Sequence, residues 1–384
     1  AIAHPRCGPV SLSDLIFSTI AKRGGDSVDV PVIIEAAVPL ELSGEVVRSR
    51  ICTFADGDGR EWALRPDLTL PVAQAEISAR GSHPAGESIR RYRGPVFRLP
   101  SLVGEPVEYE QIGLERFGAP RGVDEDVWLF ETLADACTAA GVSSGQTAFG
   151  DLSIFPGFVD TLGLPDDVSA GLKRAFRQEG GVRAYLSGHA DSQAGIAHRL
   201  KGMDRTEIAA FVDDIYAMTG LQPVGERTSD EVVERLSQQA ASAAETSLSS
   251  EIDEFLTALR SLDLPFQDAP AALQKLADEA GLNGLEGLLE TFSLRTERLA
   301  RSDFANLFGT ATFATRFGRR FTYYDGFVFE IATGATATAM QRPIAAGGRY
   351  DSLLSDLSGG AVTATAIGGI VIPHRLETVS GASS

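Results

Sequence analysis

Cysteine is nearly absent. Three residues, Cys7, Cys52 and Cys137, are scattered through 384 positions, and no Cys-x-x-Cys pair occurs. That spacing excludes a disulfide framework and the common zinc sites, and it fits reduced, buried thiols. No metal and no cofactor are expected. Basic runs are missing too: no five positive residues are adjacent, and the densest group is Arg316-Phe-Gly-Arg-Arg320. Lys and Arg number 34 against 52 Asp and Glu, a formal charge of −18. Phosphate-rich partners draw affinity from clustered cations, so neither nucleic acid nor an anionic membrane surface is an expected partner. No apolar run approaches the roughly 18 residues of a membrane helix. The opening Ala1-Ile-Ala-His-Pro-Arg-Cys-Gly8 lacks the apolar core of a secretory signal. A cytoplasmic protein is expected.

What is present changes along the chain. From about residue 28 to 118, short strand-like runs alternate with turns: Val30–Glu35, Glu61–Arg65, Arg90–Arg98 and Val107–Phe117. Asp56-Gly-Asp-Gly59 is a hairpin signal between two of them, and Ser13 and Asp14 are candidate caps for a preceding helix. From about 155 to 300 the period becomes helical. Phe155, Phe158, Val159 and Leu162 recur at i, i+3, i+4, i+7, as do Ile208, Phe211, Val212 and Ile215, and Leu285, Leu288, Leu289 and Phe292. Gln238–Ser250 reads as a helix end plus linker. Strand-like text returns at Tyr323–Ile331, Ile344–Gly348 and Ala366–Ile372. The pattern predicts an α+β sheet domain from residues 1–155 and 300–384, interrupted by a mainly helical insertion over 156–299.

Candidate chemistry sits on these strands. In Val107–Phe117, period two puts Tyr109, Gln111, Gly113, Glu115 and Phe117 on one face, and Ile112 and Leu114 on the other. Gln111 and Glu115 flank a glycine, which is either floor space for a small ligand or a solvent-exposed strand face. In Thr322–Glu330 the same period pairs Tyr324 with Gly326, and sets Tyr323 with Phe327 and Phe329 toward a core. Arg98 ends a strand and suits a carboxylate or phosphate. Asp67 and Thr69 suit an ammonium. Each is equally at home in an ordinary salt bridge or cap.

Their order is more informative than any one of them. Arg-Pro-Asp-x-Thr, Arg-x-Gly-Pro-x-Phe-Arg, Gln-x-Gly-x-Glu, Tyr-Tyr-x-Gly-x-x-Phe-Glu, Ala-Gly-Gly-Arg-Tyr-Asp and a terminal Ala-Ile-Gly-Gly-Ile before Arg375 follow one another over residues 10 to 377. This series resembles the catalytic domain of histidyl-tRNA synthetase, a class II aminoacyl-tRNA synthetase. The resemblance implies a class II antiparallel sheet with flanking helices and a helical insertion. It implies a homodimer through the motif 1 region, which Val30–Pro39 resembles. It also implies a histidine pocket: Asp67, Thr69 and Gln111 on the α-ammonium, Glu115, Tyr324 and Tyr350 around the imidazole with Tyr323 beside them, and Arg98 and Arg319 on the carboxylate.

The departures from that family are on the ATP side. Arg98 is followed by Leu99-Pro100, where the family carries a glutamate. The loop Ser101–Glu110 then holds Glu105, Glu108 and Glu110 and no Lys or Arg. Negative charge facing a polyphosphate is strongly unfavourable in a partly desolvated site. Arg375 matches the motif 3 arginine. The text ends nine residues later, at Ser384, so no anticodon-binding domain is expected. This combination resembles the regulatory subunits of ATP phosphoribosyltransferase. It implies a non-catalytic chain that partners a short catalytic subunit in a hetero-octamer. Such a chain supports the first step of L-histidine biosynthesis and conveys feedback inhibition, with L-histidine as effector. Two other readings stay open at this point: a stand-alone enzyme forming an aminoacyl adenylate, and an assembly scaffold with a relic pocket.

Overall fold

The computed structural model describes residues 11–43, 45–81, 86–101, 105–178, 180–192, 200, 203–219, 233–234, 250–304, 307, 311–318, 323–333 and 342–380. Among them run twelve strands: β1 (Asp26–Ser27), β2 (Ile33–Glu35), β3 (Thr53–Ala55), β4 (Glu61–Leu64), β5 (Ser88–Phe97), β6 (Glu108–Phe117), β7 (Gln146–Asp151), β8 (Asp263–Pro265), β9 (Thr312–Ala314), β10 (Phe327–Ala332), β11 (Ala345–Arg349) and β12 (Ala366–Val371). Nine form one sheet in the order β1-β5-β6-β12-β11-β10-β7-β9-β8, and β2-β4-β3 form a second. The large sheet is antiparallel except at β1/β5 and β7/β9. The early hairpin β5/β6 therefore meets β12, from the far end of the chain, along β6.

Local signals explain the outline. Asp56 makes the β3–β4 turn by accepting from the Asp58 and Arg60 N–H groups at 3.0 and 2.9 Å and from Trp62 Nε1 at 2.8 Å. The first helix is Leu12–Ala21, and its cap is Ser11, whose Oγ accepts from the Asp14 N–H at 3.1 Å. Ser13 and Asp14, the caps the sequence suggests, lie instead inside the first turn of the helix, with Ser11 in the capping position. The central residues of β6 are buried on both faces: Gln111, Ile112, Leu114 and Glu115 are all 0% exposed. The Leu114 face abuts the Val123–Ala139 helix, whose Leu133 sits over Gly369 opposite Leu114. A solvent-exposed strand face is thereby excluded for Gln111 and Glu115.

The chain divides into two compact units, residues 1–163 with 259–384, and 164–258. The helices Ile154–Thr161 and Glu286–Ala300 lie in the first unit, although most of each falls within 156–299. Aromatic stacking holds the second of them there. Phe292 meets Phe266 at 5.8 Å and Phe313 at 5.1 Å, and Phe266 stacks on Phe149 of β7 at 4.3 Å. In the other unit, Ile208 and Val212 cluster with Leu200 and Val233. Residues 238–249 of the expected linker lie outside the described residues. Among the described residues no helix is long and apolar enough to cross a membrane.

Buried charge ties helices to the large sheet. Arg295 donates to Asp126 at 2.7 Å and to Asp151 at 2.6 Å, and Arg349 donates to Asp126 at 2.8 Å. The Arg295 guanidinium also lies 5.0 Å from the Phe327 ring centre. Removing one member of such a network strands the others without compensation. Arg295→Ala is expected to cost about 3–5 kcal/mol, read from urea denaturation. A loss below about 1 kcal/mol, the scale of a surface pair, would contradict this account.

Candidate functional site

The site grows from four segments. Arg65 anchors the first: its guanidinium donates to the Val30 and Pro95 carbonyls, and its N–H to the Val32 carbonyl at 2.9 Å. That fixes Pro66-Asp67-Leu68 at the start of the Thr69–Arg80 helix. Asp67 Oδ1 accepts from the Leu70 N–H at 3.1 Å. Arg98, at the end of β5, donates to the Pro66 carbonyl at 2.6 Å. Burial raises the Asp67 carboxyl, with the Arg98 charge and the Leu70 and Thr69 N–H groups pulling it back.

Glu115 is the centre. Its Oε1 accepts from Thr69 Oγ1 at 2.8 Å and from the Tyr92 hydroxyl at 2.6 Å, and its Oε2 accepts from the Tyr350 hydroxyl. Burial pushes this carboxyl up to about 7, even though the Tyr350, Tyr92 and Thr69 hydroxyls pull it back. Burial and the neighbouring Glu115 charge push the Tyr92 and Tyr350 hydroxyls well up, so both act as donors.

Two glycines make this possible. Gly368 stands opposite Glu115 in β12, and a Cβ there would collide with the carboxylate. Gly113 stands opposite Tyr92, and a Cβ there would lie 2.8 Å from its hydroxyl and 3.0 Å from its ring. The room over Gly113, which the sequence offers to a ligand, is thus filled by Tyr92. Tyr92 is the residue that the motif reading missed. Its signal was an aromatic directly across an antiparallel pair from a glycine.

Tyr323, Tyr324 and Tyr350 form a ring cluster with centres 4.8, 5.7 and 5.9 Å apart. Period two sets Tyr323 with Phe327 and Phe329, but β10 begins only at Phe327, so the alternation does not reach it. Tyr323 packs instead with Leu68, Tyr92 and Tyr350, on the Glu115 side. Gln111 lies on the Glu115 face of β6, and neither its Oε1 nor its Nε2 has a hydrogen-bond partner; Asp67 Oδ2 also lacks one. Arg319 lies outside the described residues.

The structure therefore brings Asp67, Thr69, Glu115, Tyr323, Tyr324 and Tyr350 into one buried neighbourhood, with Gln111 along the strand and Arg98 beside Asp67. A separate cleft of about 610 Å³ is lined by Asp126, Asp151, Arg295 and Arg349 among others. Its central charges are consumed by the ion pairs described above. No group of His, Cys, Asp and Glu suited to a metal ion occurs among the described residues.

The family model for histidyl-tRNA synthetase matches residues 11–204 and 200–369. A solved structure from Bacillus halodurans, described as an ATP phosphoribosyltransferase regulatory subunit/histidyl-tRNA synthetase, superposes with a TM-score of 0.62 at 20% identity, covering 95% of this chain and 77% of that one. Histidyl-tRNA synthetase from Nostoc sp. gives 0.54 at 16% identity, covering 100% and 76%. The fold is that of the class II aminoacyl-tRNA synthetases. The ATP phosphoribosyltransferase regulatory subunit of Allorhizobium ampelinum is 31% identical over 376 residues, 94% of this chain and 95% of that protein. The protein of that name from Chelativorans sp. is 30% identical over 378 residues, 95% and 96%. The chain belongs to this family of histidyl-tRNA synthetase-like regulatory subunits.

The raised Glu115 carboxyl has a consequence for stability. Its ordinary value is 4.5 and its folded value about 7. Between these the folded chain holds a proton that the unfolded chain has lost. The contribution of Glu115 is full below pH 4.5 and declines by about 3 kcal/mol as pH rises through 7. Glu115→Gln does not ionise. Urea denaturation of both proteins at pH 5 and pH 8 is expected to show wild type losing that much relative to the variant. A pH-independent difference would contradict it.

Proposed function

We propose that this chain is a non-catalytic regulatory subunit of ATP phosphoribosyltransferase. It activates a short catalytic subunit and conveys feedback inhibition by L-histidine bound in the Glu115 pocket. The observation that carries this reading is the unpartnered polar set, both side-chain atoms of Gln111 and Oδ2 of Asp67. A buried polar atom left without a partner costs about 1–3 kcal/mol. An amino acid relieves that cost: its ammonium donates to Asp67 and Gln111, and its carboxylate meets Arg98, with Arg319 as the second cation. Thr69 stands beside the ammonium with Asp67, and Tyr323, Tyr324 and Tyr350 enclose the side chain. An imidazole N–H reaching Glu115 replaces one hydroxyl donor with another donor, a near-even exchange. Regulation then requires that histidine bind one state of the complex better than the other, since equal affinity shifts nothing.

The assembly reading also draws on the surface. The β2-β4-β3 sheet leaves Ile33 49% and Phe54 43% exposed, next to Val32 at 37%. An apolar patch of this kind suits the proposed homodimer through the Val30–Pro39 region, within a cytoplasmic hetero-octamer. In a complex reconstituted with a short ATP phosphoribosyltransferase, Gln111→Leu and Glu115→Ala are expected to raise the histidine concentration for half inhibition at least about tenfold. Each variant is read against its own uninhibited rate. Unchanged inhibition in both would sink the pocket assignment. A complex that the chain fails to activate would sink the regulatory reading itself.

A further inference from the structure

Tyr350 reaches the Glu115 pocket from just beyond a strand, since β11 ends at Arg349, and Tyr324 from before one, since β10 begins at Phe327. The register between these strands ends at Val328 with Gly348, so the ladder stops short of both tyrosines. One residue carries the pairing past it. Asp325, the open position of Tyr-Tyr-x-Gly, donates its N–H to the Arg349 carbonyl at 3.1 Å. Its Oδ1 accepts from the Asp351 N–H at 3.0 Å and its Oδ2 from the Ser352 N–H at 2.8 Å. The residue after Tyr324 therefore grips the backbone on both sides of Tyr350. Two glycines allow the approach: a Cβ on Gly326 would lie 3.1 Å from Arg349 Cδ, and one on Gly348 would lie 2.9 Å from the Tyr324 ring.

The grip continues toward Glu115. The Tyr350 N–H donates to the Ala366 carbonyl at 2.9 Å, and Asp351 Oδ1 accepts from the Ala366 N–H at 2.9 Å. Ala366 opens β12, two residues before the Gly368 that stands opposite Glu115. The Tyr350 hydroxyl then donates to Glu115 Oε2, and its ring centre stands 5.9 Å from that of Tyr324. Asp325 and Asp351 themselves line the separate cleft. A carboxylate that accepts from two backbone N–H groups makes charge-assisted bonds, stronger than those of a neutral side chain. We propose that Asp325 is a positioning residue of the histidine pocket: it fixes Tyr350 so that the hydroxyl orients Glu115 and the ring closes on the imidazole with Tyr324. The proposal rests on the pocket reading above. It follows the general rule that binding groups need supporting hydrogen bonds that hold them to within about 0.5 Å.

The test is calorimetric titration of the full chain with L-histidine, comparing wild type, Asp325→Ala and Asp325→Asn. Asp325→Ala removes both acceptors and is expected to weaken binding at least about tenfold. Asp325→Asn keeps one acceptor oxygen and is expected to bind about threefold more weakly than wild type; it serves alone if the alanine form does not fold. Tyr350→Phe leaves no hydroxyl to place. In that background the Asp325 change is expected to cost less than its full factor, because changes that act through one shared partner are not additive. A residue that only supports the fold would cost the same factor in both backgrounds. Folded Asp325 variants that bind histidine as wild type does would overturn the proposal, and so would a full factor retained in Tyr350→Phe. A wild type that takes up no histidine would remove the pocket reading, and the proposal with it.

Discussion

A carboxylate buried without a cation is among the most unfavourable groups a core can hold. Glu115 is held in that state, and much of the sheet is arranged around it. Its three hydroxyl donors come from the start of the Thr69–Arg80 helix, from β5 and from the end of β11. Each reaches it only because β5, β6, β12 and β11 are neighbours in that order. Gly368 supplies the space and Gly113 admits the Tyr92 ring. A change in register by one residue would turn Glu115 to the opposite face and leave every one of these partners behind.

Two other charged clusters frame what is unusual here. Around Asp126, every carboxylate has an arginine: Asp126 with Arg295 and Arg349, and Asp151 with Arg295. That network is complete in itself and fastens helices to strands. Around Glu105, Arg50 and Ser101 hold one carboxylate oxygen and Arg375 lies 3.6 Å from the other. At Asp67 and Gln111, buried polar atoms without hydrogen-bond partners lie beside a carboxylate supported by neutral donors. The Asp126 and Glu105 clusters pair charge with charge, whereas the Glu115 neighbourhood meets its carboxylate with hydroxyls.

Much of this was legible in the sequence. Period two placed Gln111 and Glu115 on one strand face, and the α+β outline with strands from both chain ends followed from patterning. The motif order gave the class II fold. What escaped depends on pairing across strands. Tyr92 carries no signal until β5 is set against β6, and Gly368 none until β12 lies beside β6. Tyr323 was set on the wrong side because alternation was carried past the true start of β10. Glu105 read as simple repulsion of phosphate; that it reaches Arg50 and Arg375 depends on folds of the chain that no local pattern records. Arg319 lies outside the described residues, so its place rests on the motif alone.

The proposed regulatory role rests on whether the unpartnered set takes an amino acid. Calorimetric titration of the full chain with L-histidine tests this most directly, alone and with a short catalytic subunit present. The account predicts one histidine per chain, with binding lost on Asp67→Ala. A pocket that gives no heat at millimolar histidine under both conditions would contradict it.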